Sequence, residues 1–222
     1  MSYYENWSAL ILKRKTNRLS VWLTYTLTFL IIVTATFGAL HATGHSIIWN
    51  LDGIAQHYPI LTEFYRILHG TAHQSLFGWS WNLGLGADQM TTFAYYLVGD
   101  PFSYLIALFP ANQLELGYTL LTIFRLYVVG LSFIALANHF HFKNAGSVIG
   151  ALIYTFNGFT FYVSYHHPFF LLPMIFFPLL CLTIDLILQG RSWWWLGIGT
   201  AAILICNVYF AYLIAFGALL FL

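Results

Sequence analysis

Leu19-Ser20-Val21-Trp22-Leu23-Thr24-Tyr25-Thr26-Leu27-Thr28-Phe29-Leu30-Ile31-Ile32-Val33-Thr34-Ala35-Thr36-Phe37-Gly38-Ala39-Leu40 holds no charged residue. As a helix rising ~1.5 Å per residue it covers the ~30 Å of a bilayer's hydrocarbon. Lys13, Arg14, Lys15 and Arg18 precede it, which places the N-terminus in the cytoplasm by the positive-inside rule. The apolar run is too long for a signal-peptide core and no small-x-small site follows, so it reads as an uncleaved anchor. The rest of the chain agrees with a membrane class. Hydrophobic residues make up 60%, aromatics 20% and charged residues only 7%, with a mean hydropathy of +0.75. Soluble domains carry about a quarter charged residues. Beyond residues 13–18 there is no basic patch, which excludes nucleic acid as a partner. Cys181 and Cys206 lie in apolar runs without a CxxC pair and read as small buried hydrophobes.

Further spans are expected at 116–138, 146–164, 169–188 and 195–219. The stretch 93–109 is apolar but broken by Gly99-Asp100-Pro101. Read as a re-entrant or interfacial piece, it leaves Lys143 and Arg191 on the cytoplasmic side with the N-terminus. The domain reading is a cytoplasmic segment 1–18 followed by one membrane domain 19–222, with an outer loop over 41–115. The chain is apolar through Leu222, so it is expected to be the N-terminal portion of a longer protein. Within the loop, Ile60, Phe64, Ile67 and Leu68 recur at helical spacing and predict a short amphipathic helix on the membrane surface, with Pro59 in its first turn.

The loop also concentrates the polar chemistry. Residues 41–102 hold Asp52, Glu63, Asp88 and Asp100, four of the seven acidic residues, and five of the nine histidines. Carboxylates are not needed for solubility in such a chain, so they point to a site. In Trp49-Asn50-Leu51-Asp52-Gly53-Ile54-Ala55-Gln56-His57-Tyr58-Pro59, Asp52 reads as a general base or as a ligand to a hard cation such as Mg or Mn. Its bland reading is a cap on a helix starting near Gly53; Asn50, Gln56 and His57 make the cluster richer than a cap requires, and all three are taken as substrate-binding. Asp100 before Pro101 is equally a helix start and a catalytic carboxylate at membrane depth. Asp88, in a glycine-bearing turn, reads as shaping the pocket. Arg125, inside a span, needs an anionic partner, either a carboxylate or a substrate phosphate. His166-His167, beside Pro168, are candidates for metal or phosphate, with His166 taken as substrate-binding, against a plain role as polar cover at a turn. Asp185, near the inner end of its span, reads as structural. No Walker loop, HExxH, GxSxG or CxxC occurs, so ATPase, zincin and serine-hydrolase chemistry has no support.

The loop residues just quoted, with Phe77-Gly78-Trp79-Ser80-Trp81-Asn82-Leu83-Gly84-Leu85-Gly86-Ala87-Asp88, Tyr95-Tyr96 and Gly99-Asp100-Pro101-Phe102, resemble the start of the bacterial YfhO family. Tyr154-Thr155-Phe156-Asn157-Gly158-Phe159 and the prolines Pro173 and Pro178 are similar to its next signatures. The resemblance implies an all-α polytopic transmembrane protein with a GT-C-like helical bundle and a long first extracytoplasmic loop. It further implies transfer of a sugar from a polyprenyl-phosphate carrier, in contact with membrane lipid, to an envelope polymer such as teichoic acid at the outer face of the bacterial cell membrane. In GT-C enzymes an essential acidic residue follows the first span, and by position that maps onto Asp52; a second acidic or histidine element maps onto Asp100 or His166, without a DxD motif to anchor it. The alternatives are a transporter or flippase of a lipid-linked or polar substrate, and a non-catalytic scaffold.

Overall fold

The computed structural model describes residues 18–222; Lys13, Arg14 and Lys15 lie outside the described residues. Helix α1 (Arg18–Ala42) buries Val21, Tyr25, Phe29, Val33 and Phe37, a stripe at every fourth position, while Leu19, Leu23, Leu27 and Ile31 remain exposed. Such a division suits a helix with one face on protein and the other on lipid. The long helix α4 (Leu114–His139) crosses the centre of the bundle. Tyr25 Oη donates to the Tyr127 carbonyl at 3.0 Å. This approach is open because Gly130 has no side chain, since a Cβ there would sit 2.0 Å from Tyr25 Oη.

Runs Leu19–Ala42, Ala111–His139 and Pro168–Leu188 are each long and apolar enough to cross a membrane, with mean hydropathies of 1.8, 2.1 and 2.4. The last contains α7 (Leu172–Leu188). The span expected at 146–164 is broken into two helices, α5 (Asn144–Thr155) and α6 (Gly158–His166), bent by 45° and together long and apolar enough for one crossing. Asn157 causes the break. Its side chain accepts from the Thr160 backbone while the Thr160 hydroxyl accepts from the Asn157 N–H, a capping box that starts a new helix. The single span expected at 195–219 is also corrected. Helices α8 (Trp194–Cys206) and α9 (Val208–Phe221) meet at Asn207, whose side chain caps α9. They return side by side: Leu196 and Ala218 pack in one cluster, and Phe221 reaches Phe140 at 6.3 Å. At ~1.5 Å per residue each is ~20 Å long, short of a full crossing.

Between α1 and α4 lies the loop. A π turn (Gly53–His57) runs into α2 (Tyr58–Leu68); the strands β1 (Trp79–Ser80) and β2 (Ala87–Asp88) pair antiparallel; α3 (Gln89–Phe93) continues into a second π turn (Ala94–Val98) and two 3-10 turns (Ser103–Leu108, Ala111–Gln113). No continuous helix spans 93–109. Helix α2 departs from the expected surface helix. It buries Ile60, Leu61 and Phe64 in the protein core while Leu68 is exposed, and Phe64 packs edge-on against Tyr104 at 5.2 Å. The loop thus sits on the bundle through α2, and the α6–α7 turn comes up against it. At the opposite end His139 on α4 pairs with Asp185 on α7, which Gln189 also contacts; Asp185, expected to be structural, thus ties α4 to α7.

Candidate functional site

Asp100 and Arg125 meet below the loop. Asp100 is 1% exposed and Arg125 5%. The carboxylate accepts the Phe102 N–H on Oδ1 at 2.9 Å, and on Oδ2 the Ser103 hydroxyl at 2.8 Å, Arg125 Nε at 3.0 Å and Arg125 Nη2. Arg125 Nη2 also donates to Ser103 Oγ. Three of these four hydrogen bonds converge on Oδ2, and a single one reaches Oδ1. Within the protein, Asp100 caps the turn after Pro101, which is one of its two readings, and it supplies the carboxylate that was one of the two partners expected for Arg125. The neighbouring Gly99 lets α8 approach, since a Cβ would meet the Ile205 carbonyl at 2.0 Å.

Asp52 is built differently. Its backbone is already helical (φ −64°, ψ −27°), and its side chain makes no capping hydrogen bond, so the cap reading is not realised. Half-buried, the carboxylate takes part in no ion pair among the described residues. The π turn that follows wraps an extra residue per turn, a local geometry frequent at functional sites. It turns His57 inward, where the ring is 5% exposed. His57 Nε2 lies 3.3 Å from His167 Nδ1, with Phe169 edge-on at 5.3 Å. The second π turn supplies Tyr96, whose hydroxyl donates to Gln56 Oε1 at 2.8 Å. Two π turns from distant parts of the loop therefore clasp each other and the α6–α7 turn.

The electrostatics follow from this packing. Burial pushes His57 down to about 4, the neighbouring His167 pushes the same way, and Asp52 opposes both. His167 is also lowered, by burial first, against Asp52. The Tyr96 phenol is raised, by burial first, then by Tyr95 and Asp52. Asp52 thus acts on two neutral imidazoles and a protonated phenol, a constellation able to take up and hand on a proton. Beside it runs an open groove of about 840 Å³, lined by Gln56, Tyr58, Glu63, Arg66, Gln89 and Tyr96 among others.

The remaining candidates separate. Gln56 and His57 join Asp52. Asn50 occupies the exposed turn before it. Asp88 sits on the β2 edge of the hairpin, where its Oδ1 accepts the Thr91 N–H at 2.7 Å and caps α3. His166 is held by the Tyr162 carbonyl at 2.8 Å, stacked on Tyr162 and edge-on to Trp49; its neighbour His167 is the one that reaches His57. Among the described residues no three His, Cys, Asp or Glu side chains come together to hold a metal ion, so no step is assigned to Mg or Mn. Of the pair His166-His167 only His166 was taken as a site residue, and Tyr96 was given no role at a site, although the Pro168 that orients the turn and the Tyr95-Tyr96 pair were both visible in the sequence.

Residues 24–222 match the sequence model of a family described as bacterial membrane protein YfhO. No curated protein and no solved structure matches the chain.

Proposed function

Because the chain belongs to the YfhO family of bacterial membrane proteins, we propose that it acts as a GT-C-type membrane glycosyltransferase, moving a sugar from a polyprenyl-phosphate carrier to an envelope polymer such as teichoic acid. The single observation that carries this reading is the Asp52 carboxylate, in no ion pair among the described residues, whose charge acts on the His57–His167 pair. Asp52 would take the proton of the acceptor hydroxyl as the glycosidic bond forms. The histidines, neutral in this packing, would offer a ring N–H to the leaving phosphate. Arg125 is not assigned to that phosphate, since Asp100 already holds it.

A matching membrane orientation is proposed. Lys143 and Arg191, at the end marked by His139 and Asp185, would face the cytoplasm and the loop the outside. A cysteine placed at Gly70 should react with an impermeant thiol reagent on intact cells and one at Lys143 should not; the reverse labelling would overturn the orientation. For the activity, Asp52→Asn should reach normal membrane levels in a strain lacking the native copy, with sugar transfer down ~10²–10⁴-fold. Transfer at the wild-type rate would remove Asp52 from the chemistry.

A further inference from the structure

Directly under the His57–His167 pair is a second, small cavity of about 30 Å³, walled by Leu61, Leu97 and Leu121 and reached by His57, Tyr118 and Arg125. His57 Nδ1 and Tyr118 Oη are buried without a hydrogen-bond partner, and the two residues are 5% and 6% exposed. Arg125, 5% exposed, has Nε and Nη2 committed to Asp100 and Ser103, leaving Nη1 as its uncommitted donor. Buried polar atoms are nearly always partnered, by protein or by ordered water. Here two orphans and a spare guanidinium donor converge on one void.

We propose that this cavity is an internal water site, whose water bridges Arg125 Nη1, Tyr118 Oη and His57 Nδ1 and thereby fixes the tautomer of His57. The volume suits one or two waters, each needing ~10–15 Å³, and the polar groups supply the two to four partners a buried water takes. An anion is the poorer occupant, because Asp100 already neutralises Arg125 and a second negative charge would be buried unpaired. The direction of the bonds follows from the inventory of donors. The guanidinium can only donate, and the Tyr118 hydroxyl has no other acceptor for its proton. Together they fill both lone pairs of the water, which must then donate to His57 Nδ1. The ring proton of His57 therefore sits on Nε2 and points at His167 Nδ1. Tyr118 and Arg125 become positioning residues for the outer histidine pair, whatever reaction that pair serves.

The sign of one substitution decides the matter. Tyr118→Phe removes a single hydroxyl without changing the ring. If the hydroxyl holds a water, its loss lowers the Tm of the full chain in nanodiscs by about 2–4 °C. If the cavity is dry, the hydroxyl is an orphan, and deleting it leaves the Tm unchanged or raises it; either result overturns the proposal. Replacing chloride by bromide or gluconate at fixed ionic strength should not move the wild-type Tm, and a Tm that follows the halide would assign the cavity to an anion instead. The tautomer has its own readout. The ¹⁵N imidazole shifts of the protein, assigned with His57→Gln, should show His57 protonated on Nε2 in wild type and a mixture of tautomers in Tyr118→Phe. An Nδ1–H tautomer in the wild-type chain would refute the direction of the bridge.

Discussion

Asp52 and Asp100 belong to the same loop, and the protein treats them in opposite ways. Asp100 accepts four hydrogen bonds, two of them from Arg125, and is shut off from solvent. Asp52 is half-buried, caps nothing, and has two imidazoles and a phenol for neighbours. A carboxylate shut off from solvent and held by an arginine and two further donors is committed to the structure around it. One left open in a packed polar cluster is costly to keep unless it is used. On this contrast rests the proposal that Asp52, and not Asp100, carries the chemistry.

The most forceful way to break that contrast is to remove one half of the buried pair. Arg125→Met leaves Asp100 as an uncompensated buried anion, a change that typically costs about 3–5 kcal/mol. The variant should fail to accumulate or should melt far below wild type. Asp100→Asn should be similarly damaging, because it strands the guanidinium. The double variant Asp100→Asn, Arg125→Met removes both charges, keeps an oxygen for the Phe102 N–H, and should recover most of the loss. An Arg125→Met protein as stable as wild type would show that the pair does not hold the loop down, and Asp100 would return as a candidate for the chemistry.

A second lever is pH, which acts on the open side of the comparison. The unfolded ring of His57 takes up a proton near 6.5, the buried one only near 4. Between those values the unfolded chain binds more protons than the folded one, so stability must rise with pH across that window and fall as acid is added. His167 is lowered too and adds to the same slope. The Tm of the full chain should therefore drop as pH is taken from about 6.5 toward about 4. His57→Gln should flatten the profile. A wild-type Tm that is level through this window would mean that His57 titrates at its ordinary value, outside the packed cluster described here.

How far these two carboxylates could be told apart beforehand is instructive. Composition and long apolar runs reveal the membrane class, because hydrophobicity is a sum that needs no geometry. The position of Asp52 after the first span, among Gln56 and His57, was likewise legible, since all three lie within six residues. The partner of Asp100 was not, because Arg125 is 25 residues away and only folding brings a 3-10 turn against α4. His167 is 110 residues from His57 and escaped for the same reason, His166 being chosen in its place from an indistinguishable pair. The breaks in 146–164 and 195–219 were local and so more nearly readable. Asn157 with Thr160, and Asn207 ahead of α9, are capping residues inside apolar runs, and a hydropathy window averages such single polar residues away.

The smallest effect is expected at Asp88, the third loop aspartate and the one that tests whether the rule generalises. Its Oδ1 accepts the Thr91 N–H and so starts α3, and α3 carries the buried Gln89 and Phe93 along the groove. By the logic applied to Asp100, a side chain committed to a cap is architectural. Asp88→Ala should cost about 1 kcal/mol, read as a fall of about 2–4 °C in Tm. Asp88→Asn and Asp88→Ser retain an oxygen for the cap and should melt within a degree or so of wild type. All three should retain near-normal sugar transfer once protein levels are equalised. If instead Asp88→Asn folds and accumulates normally yet loses transfer as completely as Asp52→Asn, then a capping carboxylate also serves the substrate. The division between a bonded, structural carboxylate and an open, reactive one would then fail at the groove, and Asp88 would have to be placed beside Asp52.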